Sequence, residues 1–265
     1  MEPKIFMIGN AHLDPAWLWR WQEGFAEIKA TFRSALDRMK EFDGYIFTAA
    51  GAGYYQWVEE NEPAMFEEIR QRVAEGRWVL AGGWWLQPDC NLPCGESFAR
   101  HGLYGQQYFL SRFGKRALFG YNVDSFGHNG ALPQLLTQCG MDSYVMMRPE
   151  QHEKALSSDT FLWEGIDGTR VLTYRIPMGY GTAVDHSNLD RKREFFQKKL
   201  QSERASKMFF YGVGNHGGGP TSALLHRLED WMTENPSVCY GSPAYFFAKV
   251  LAGEEPVPVV QGDLQ

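Results

Sequence analysis

A chain of 265 residues is long enough for one large domain with a substantial core, and an α/β barrel routinely occupies about that length. Its net charge of −6 gives no basic footprint, which argues against a nucleic-acid partner and favours a neutral or weakly charged ligand. There is no apolar run of about 18 residues and no signal-like start, so the sequence predicts a soluble, cytoplasmic protein without a membrane partner and leaves homo-oligomer formation open.

In chain order, short apolar strands are expected near Ile5–Gly9, Tyr45–Ala49, Trp78–Gly82, Ala117–Val123, Tyr144–Met147, Met208–Gly212 and Val238–Gly241. Helices alternate with them. Asn61–Glu75 carries Pro63 where a first turn accepts it, and in Glu96–Phe113 the residues Phe98, Leu103, Tyr108 and Leu110 recur at roughly helical spacing. Phe161–Tyr174 holds two apolar runs around Asp167-Gly168 and reads as a hairpin inserted after the fifth strand. Repeated strand–helix units imply parallel pairing. The fold class is therefore α/β, a seven-stranded parallel (β/α)7 barrel-like domain over residues 1–265, with any active site on loops at the carboxyl ends of strands. The tail reaches Gln265 in a β-like apolar run, which predicts a domain cut short at its C-terminal end. Cys90, Cys94, Cys139 and Cys239 form no C-x-x-C pair and read as reduced thiols, with metal binding by Cys90 and Cys94 as an alternative.

Two strand ends carry metal-binding chemistry. The apolar run Ile5–Ile8 leads into His12 and Asp14, and residues i and i+2 of an extended chain point to one side. An imidazole nitrogen beside a carboxylate oxygen suits zinc, although such a pair is also often just hydrogen-bonded. A third candidate ligand, Asp124, follows the run Ala117–Phe119, where an N-cap role is the alternative. Trp17 and Phe126 stand near these motifs and offer aromatic faces of the kind a sugar ring stacks on.

His12-Leu13-Asp14-Pro15-Ala16-Trp17 together with Asp124-Ser125-Phe126-Gly127-His128 resembles the catalytic domain of the class II α-mannosidases, glycoside hydrolase family 38. The resemblance continues in order through Gly82-Gly83-Trp84, the segment from Pro88 to Pro93, the segment from Gly212 to Thr221, and Gly262-Asp263-Leu264-Gln265. It implies a zinc-dependent retaining α-mannosidase acting on mannosides or mannose-containing oligosaccharides. His12, Asp14 and Asp124 would hold one Zn2+, with cobalt or manganese as alternatives. Asp124 would also be the nucleophile, forming a covalent glycosyl-enzyme. The resemblance further gives the metal a grip on the mannose 2- and 3-hydroxyls, seats the ring on Trp17 and closes one side with Phe126. Arg148 would stand beside the nucleophile and favour its ionised form. Asp89 is either a substrate contact or a turn residue.

The general acid falls in the loop after the sixth strand, where many relatives carry Asp and this chain has His216. An imidazolium can protonate a leaving oxygen near neutral pH, while substrate binding or a structural role are the alternatives. The resemblance also places a fourth ligand, a His, shortly beyond Gln265, with His128, His101 and His186 as local substitutes. It implies further helical and β-sandwich domains, absent here, and hence a chain nearly inactive by itself. Two rival readings are a zinc-dependent carbohydrate deacetylase and an inactive sugar-binding remnant.

Overall fold

The computed structural model describes residues 2–214, 217–253 and 257–265. In chain order the strands are β1 (Ile5–Ala11), β2 (Phe47–Ala50), β3 (Trp78–Ala81), β4 (Phe119–Asn122), β5 (Ser143–Met146), β6 (Thr160–Glu164), β7 (Arg170–Arg175), β8 (Lys207–Val213), β9 (Val238–Tyr240) and β10 (Val259–Gln261). The helices are α1 (Trp21–Glu41), α2 (Ala52–Asn61), α3 (Pro63–Ala74), α4 (Gly95–Phe113), α5 (Leu132–Gln138), α6 (Leu189–Glu203), α7 (Ser222–Glu234) and α8 (Pro243–Leu251). Among the described residues no helix is long and apolar enough to cross a membrane.

The chain divides into two compact units. The first comprises Met1–Ala49, Asn61–Val79 and Met178–Gly253. Its sheet is built on β1, whose seven residues are all buried, as expected of a parallel strand covered on both faces. Strand β8 pairs with β1 in parallel along its whole length, from Ile5 opposite Lys207 to Ala11 opposite Val213. The other edge of β1 is shared by β9 at Ile5 to Met7 and β2 at Gly9 and Asn10, with β3 outside β2. Rings lock the core, with Trp78 set edge-on to Phe32 and Phe47 at 5.1 and 5.0 Å.

The second unit comprises Ala50–Glu60, Leu80–Pro177 and Glu254–Gln265. Its sheet runs β10-β6-β7-β5-β4, parallel throughout except for the antiparallel β6–β7 pair. The seven expected strands all form, but they do not make one ring of seven. Strand pairing gives two five-stranded sheets, neither closed on itself. The expected hairpin exists as β6 and β7, turning at Gly168 with φ 84°. It is no appendage, however: β7 pairs in parallel with β5 and supplies half of that strand's hydrogen bonding. The apolar tail becomes β10, parallel to β6.

Helix α4 corrects another expectation. Its buried face is Phe98, Gly102, Gly105, Gln106 and Phe109, while Leu103 and Leu110 are exposed. A Cβ at Gly105 would lie 2.6 Å from the Gly83 carbonyl oxygen and 2.7 Å from the Trp84 carbonyl carbon. The helix thus lies against backbone, and only glycine permits that approach. Gln106 finishes the contact, donating to the carbonyls of Ala117 (2.9 Å) and Cys139 (3.0 Å) and accepting from the Ala117 amide (3.0 Å).

Candidate functional site

In the first unit the functional residues follow the carboxyl end of β1. The His12 amide still bonds the Val213 carbonyl at 3.2 Å, so the backbone leaves the sheet only at this point. The loop then returns tightly onto α1: a Cβ at Gly24 would sit 2.2 Å from the Pro15 carbonyl oxygen, so glycine is what lets the loop lie there. The Trp19 indole donates to the Asp14 carbonyl at 3.1 Å and fixes the turn. Within it, His12 Nε2 lies 3.3 Å from Asp14 Oδ1, with the histidine almost fully buried and the aspartate partly open. The expected i, i+2 convergence is present. Trp17 leaves 61% of its surface open and packs edge-on to Trp19 at 5.4 Å.

Tyr180 joins this group. Its ring centroid is 5.4 Å from that of His12. The Tyr180 carbonyl accepts from Asn10 Nδ2 at 2.8 Å, and the Thr182 amide donates to the Gly212 carbonyl at 2.9 Å. The carbonyls of Gly179 and Gly181 are held by the Lys192 ammonium at 2.8 and 3.0 Å, which also donates to Phe210 at 2.7 Å. Sequence reading missed both residues.

In the second unit Asp124 follows β4 and Arg148 follows β5, which are paired neighbours. Arg148 Nη2 and Nε lie 3.3 and 3.4 Å from Asp124 Oδ1. The same guanidinium stacks over the Phe126 ring, its carbon 4.3 Å from the ring centroid. One side chain thereby contacts a carboxylate and an aromatic face together. Phe126 remains 69% exposed and available to a ligand. Asp89 serves the turn: its Oδ1 accepts from the amides of Asn91 and Leu92, both at 2.8 Å.

The closing segment packs beside this loop. His128 and Leu264 exchange backbone hydrogen bonds of 2.8 and 2.9 Å, and Asp263 Oδ1 accepts from the Gly130 amide at 2.6 Å. His128 is fully buried, its Nδ1 2.8 Å from the Tyr144 hydroxyl, and burial pushes its pKa down to about 4. Burial pushes the Cys90 thiol up to about 11, which disfavours the thiolate a metal would need. His186 Nε2 pairs with Thr221 Oγ1 at 3.0 Å, and burial lowers the His101 pKa. His216, the expected general acid, lies outside the described residues. The nitrogen and oxygen donors of His12 and Asp14 suit zinc. Among the described residues no group of three or more His, Cys, Asp or Glu side chains is gathered for a metal.

Two α/β units carry carboxylates just beyond their strand ends, and sequence comparison gives the family. Residues 2–263 match the model of the glycosyl hydrolases family 38 N-terminal domain, and the chain belongs to that family. It is 31% identical over 253 residues to alpha-mannosidase G of Dictyostelium discoideum, covering 94% of this chain and 23% of that protein. It is 33% identical over 226 residues to the alpha-mannosidase of Saccharomyces cerevisiae, covering 84% of this chain and 21% of that protein. Among solved structures, an alpha-mannosidase from Enterococcus faecalis V583 superposes with a TM-score of 0.83 at 18% identity, covering 99% of this chain and 31% of that one. The chain thus spans about a quarter of the length of the curated relatives it matches.

Proposed function

We propose that this domain carries the catalytic centre of a zinc-dependent retaining α-mannosidase. The observation that carries the reading is the carboxylate of Asp124 held by Arg148, with that same guanidinium stacked on an open Phe126 ring, in a chain of family 38. A carboxylate fixed at a strand end can attack an anomeric carbon, while an exposed aromatic face receives the apolar side of a sugar.

In this reading His12, Asp14 and Asp124 would hold one zinc ion, which when bound would supply Lewis-acid binding of sugar hydroxyls and so help orient the ring. Asp124 forms the bond to the anomeric carbon as the glycosidic oxygen leaves. His216 gives that oxygen its proton, and then takes one from the water that opens the glycosyl-enzyme. Trp17 carries the ring face. Arg148 holds the Asp124 carboxylate in place, and Asp89 shapes the neighbouring turn.

Treating the protein with an activated fluoro-mannoside and mapping the label by mass spectrometry tests the assignment. We expect the label on Asp124. In a full-length version we also expect chelation to remove zinc together with aryl α-mannoside hydrolysis, and Asp124→Ala to abolish turnover far more than Asp89→Ala. A label on a different carboxylate overturns the reading. His216→Ala should harm substrates with poor leaving groups much more than activated aryl mannosides; equal losses would leave His216 without the acid role.

A further inference from the structure

Asn122 is a fully buried polar residue at the end of an otherwise hydrophobic strand. Its Oδ1 accepts from the Trp84 indole at 3.0 Å. Its Nδ2 lies 3.2 Å from the Pro88 carbonyl, 3.3 Å from Cys90 Sγ and 3.2 Å from Ser125 Oγ. Ser125 Oγ in turn donates to the same Pro88 carbonyl at 3.0 Å. The Val123 amide, between them, donates to Gln87 Oε1 at 3.3 Å. Three of the four positions from Asn122 to Ser125 are therefore tied to the segment 84–90, and the fourth, Asp124, reaches Arg148.

A buried amide is costly unless satisfied. A strand end that needed only packing would be served by an apolar residue, as the paired strand β5 is by Met146. The tie does something an apolar residue cannot. It closes the backbone over Val123 and Asp124 by linking Asn122 to Ser125, and it anchors both ends of that span to one carbonyl, that of Pro88. With the backbone pinned, Arg148 has only the side-chain torsions of Asp124 left to set.

We propose that Asn122, acting with Ser125 through the Pro88 carbonyl, is the positioning residue that holds the Asp124 carboxylate in its attacking geometry. This rests on the reading of Asp124 as nucleophile. Asn122 touches no substrate in this account. Its effect comes from the steep dependence of an attacking group on placement, where a displacement of roughly 1 Å costs about a hundredfold in rate.

The test uses Asn122→Ala and the milder Ser125→Ala in the whole protein, with two readouts. The first is the rate at which an activated fluoro-mannoside labels Asp124. We expect a fall of about tenfold to a hundredfold for Asn122→Ala and a few-fold for Ser125→Ala, with the concentration for half-maximal labelling little changed. A role in stability alone would lower the melting temperature and leave the labelling rate of the folded fraction untouched. The second readout needs no sugar: the 13Cγ resonance of Asp124 in protein with labelled aspartate, expected to be single in the parent and broadened or split in both variants. Should Asn122→Ala fail to fold, Ser125→Ala carries both measurements. An unchanged resonance with an unchanged labelling rate overturns the proposal. If the parent protein takes no label at Asp124, the catalytic reading falls, and the resonance alone then decides whether Asn122 and Ser125 fix that carboxylate.

Discussion

The Tyr144 hydroxyl lies 2.8 Å from His128 Nδ1 with both side chains fully buried, so a neutral histidine is built into the floor beneath the Asp124 loop. Burial pushes the Tyr144 pKa well above its ordinary value, so the hydroxyl keeps its proton beside the imidazole. Burial likewise pushes His128 from 6.5 down to about 4, against weaker opposing effects from the Arg148 backbone and the charge of Asp89.

A pH dependence follows. Between about 6.5 and 4 the unfolded chain binds a proton at this position and the folded chain does not, so stability present above pH 6.5 is lost as pH falls through that window. Full loss would amount to about 3 kcal/mol. We expect His128→Gln, whose amide can pair with the Tyr144 hydroxyl in either direction but does not titrate, to flatten the fall. Urea midpoints at pH 7, 6, 5 and 4 compare the two proteins, and parallel curves would show that other groups set the acid limit.

Gly105→Ala should destabilise the protein by about 1–3 kcal/mol, although alanine is the better helix former by about 1 kcal/mol. The added methyl meets backbone atoms at 2.6 and 2.7 Å, which a side-chain rotation cannot relieve. Gly95→Ala at the start of the same helix meets nothing within 4 Å and should be neutral or slightly stabilising. Thermal melts of both variants check the contrast.

Strands were legible because their apolar runs are buried on both faces, and the strand-end positions of His12, Asp14 and Asp124 because they stand just beyond those runs. What could not be read depends on contacts between distant segments. The α4 face was misread because counting large apolar side chains favours Leu103 and Leu110, whereas the close approach to Gly83 and Trp84 selects Gly105 and that to Cys139 selects Gly102. Pairing of β7 with β5 leaves no mark in the hairpin's own sequence. Tyr180 sits between two glycines in a loop, with nothing local to point to His12. Two signals were present and unused. Asn122 is polar in a buried strand, and Lys192 falls three residues after Leu189 and four before Phe196, on the inner face of α6.

Arg148→Lys tests how the Asp124 carboxylate is held. A lysine keeps the charge but loses the plane that covers Phe126 and the pair of nitrogens that face Oδ1. We expect kcat/KM on an aryl α-mannoside to fall about tenfold to a hundredfold, a loss of roughly 1.4–2.7 kcal/mol of transition-state stabilisation, and Arg148→Ala to lose more. Phe126→Leu should raise KM with a smaller effect on kcat. Equal kcat/KM for Arg148→Lys and the parent would show that charge alone suffices.

Lys192→Met tests the loop that brings Tyr180 to His12. The ammonium is buried and donates to three carbonyls, of Gly179, Gly181 and Phe210, at 2.7–3.0 Å. Burial lowers its pKa to about 7, while the three acceptors favour the charged form. Methionine fills a similar volume and removes the shared donor from all three carbonyls, so we expect a loss of about 1–3 kcal/mol. The loop should loosen first. Hydrogen exchange at the Thr182 amide, which bonds the Gly212 carbonyl, ought to accelerate more than exchange in β8, because the lysine reaches the loop through Gly179 and Gly181 but the strand only through Phe210. Uniform acceleration across β8 and the loop would instead mean that Lys192 supports the whole unit, with no particular hold on Tyr180.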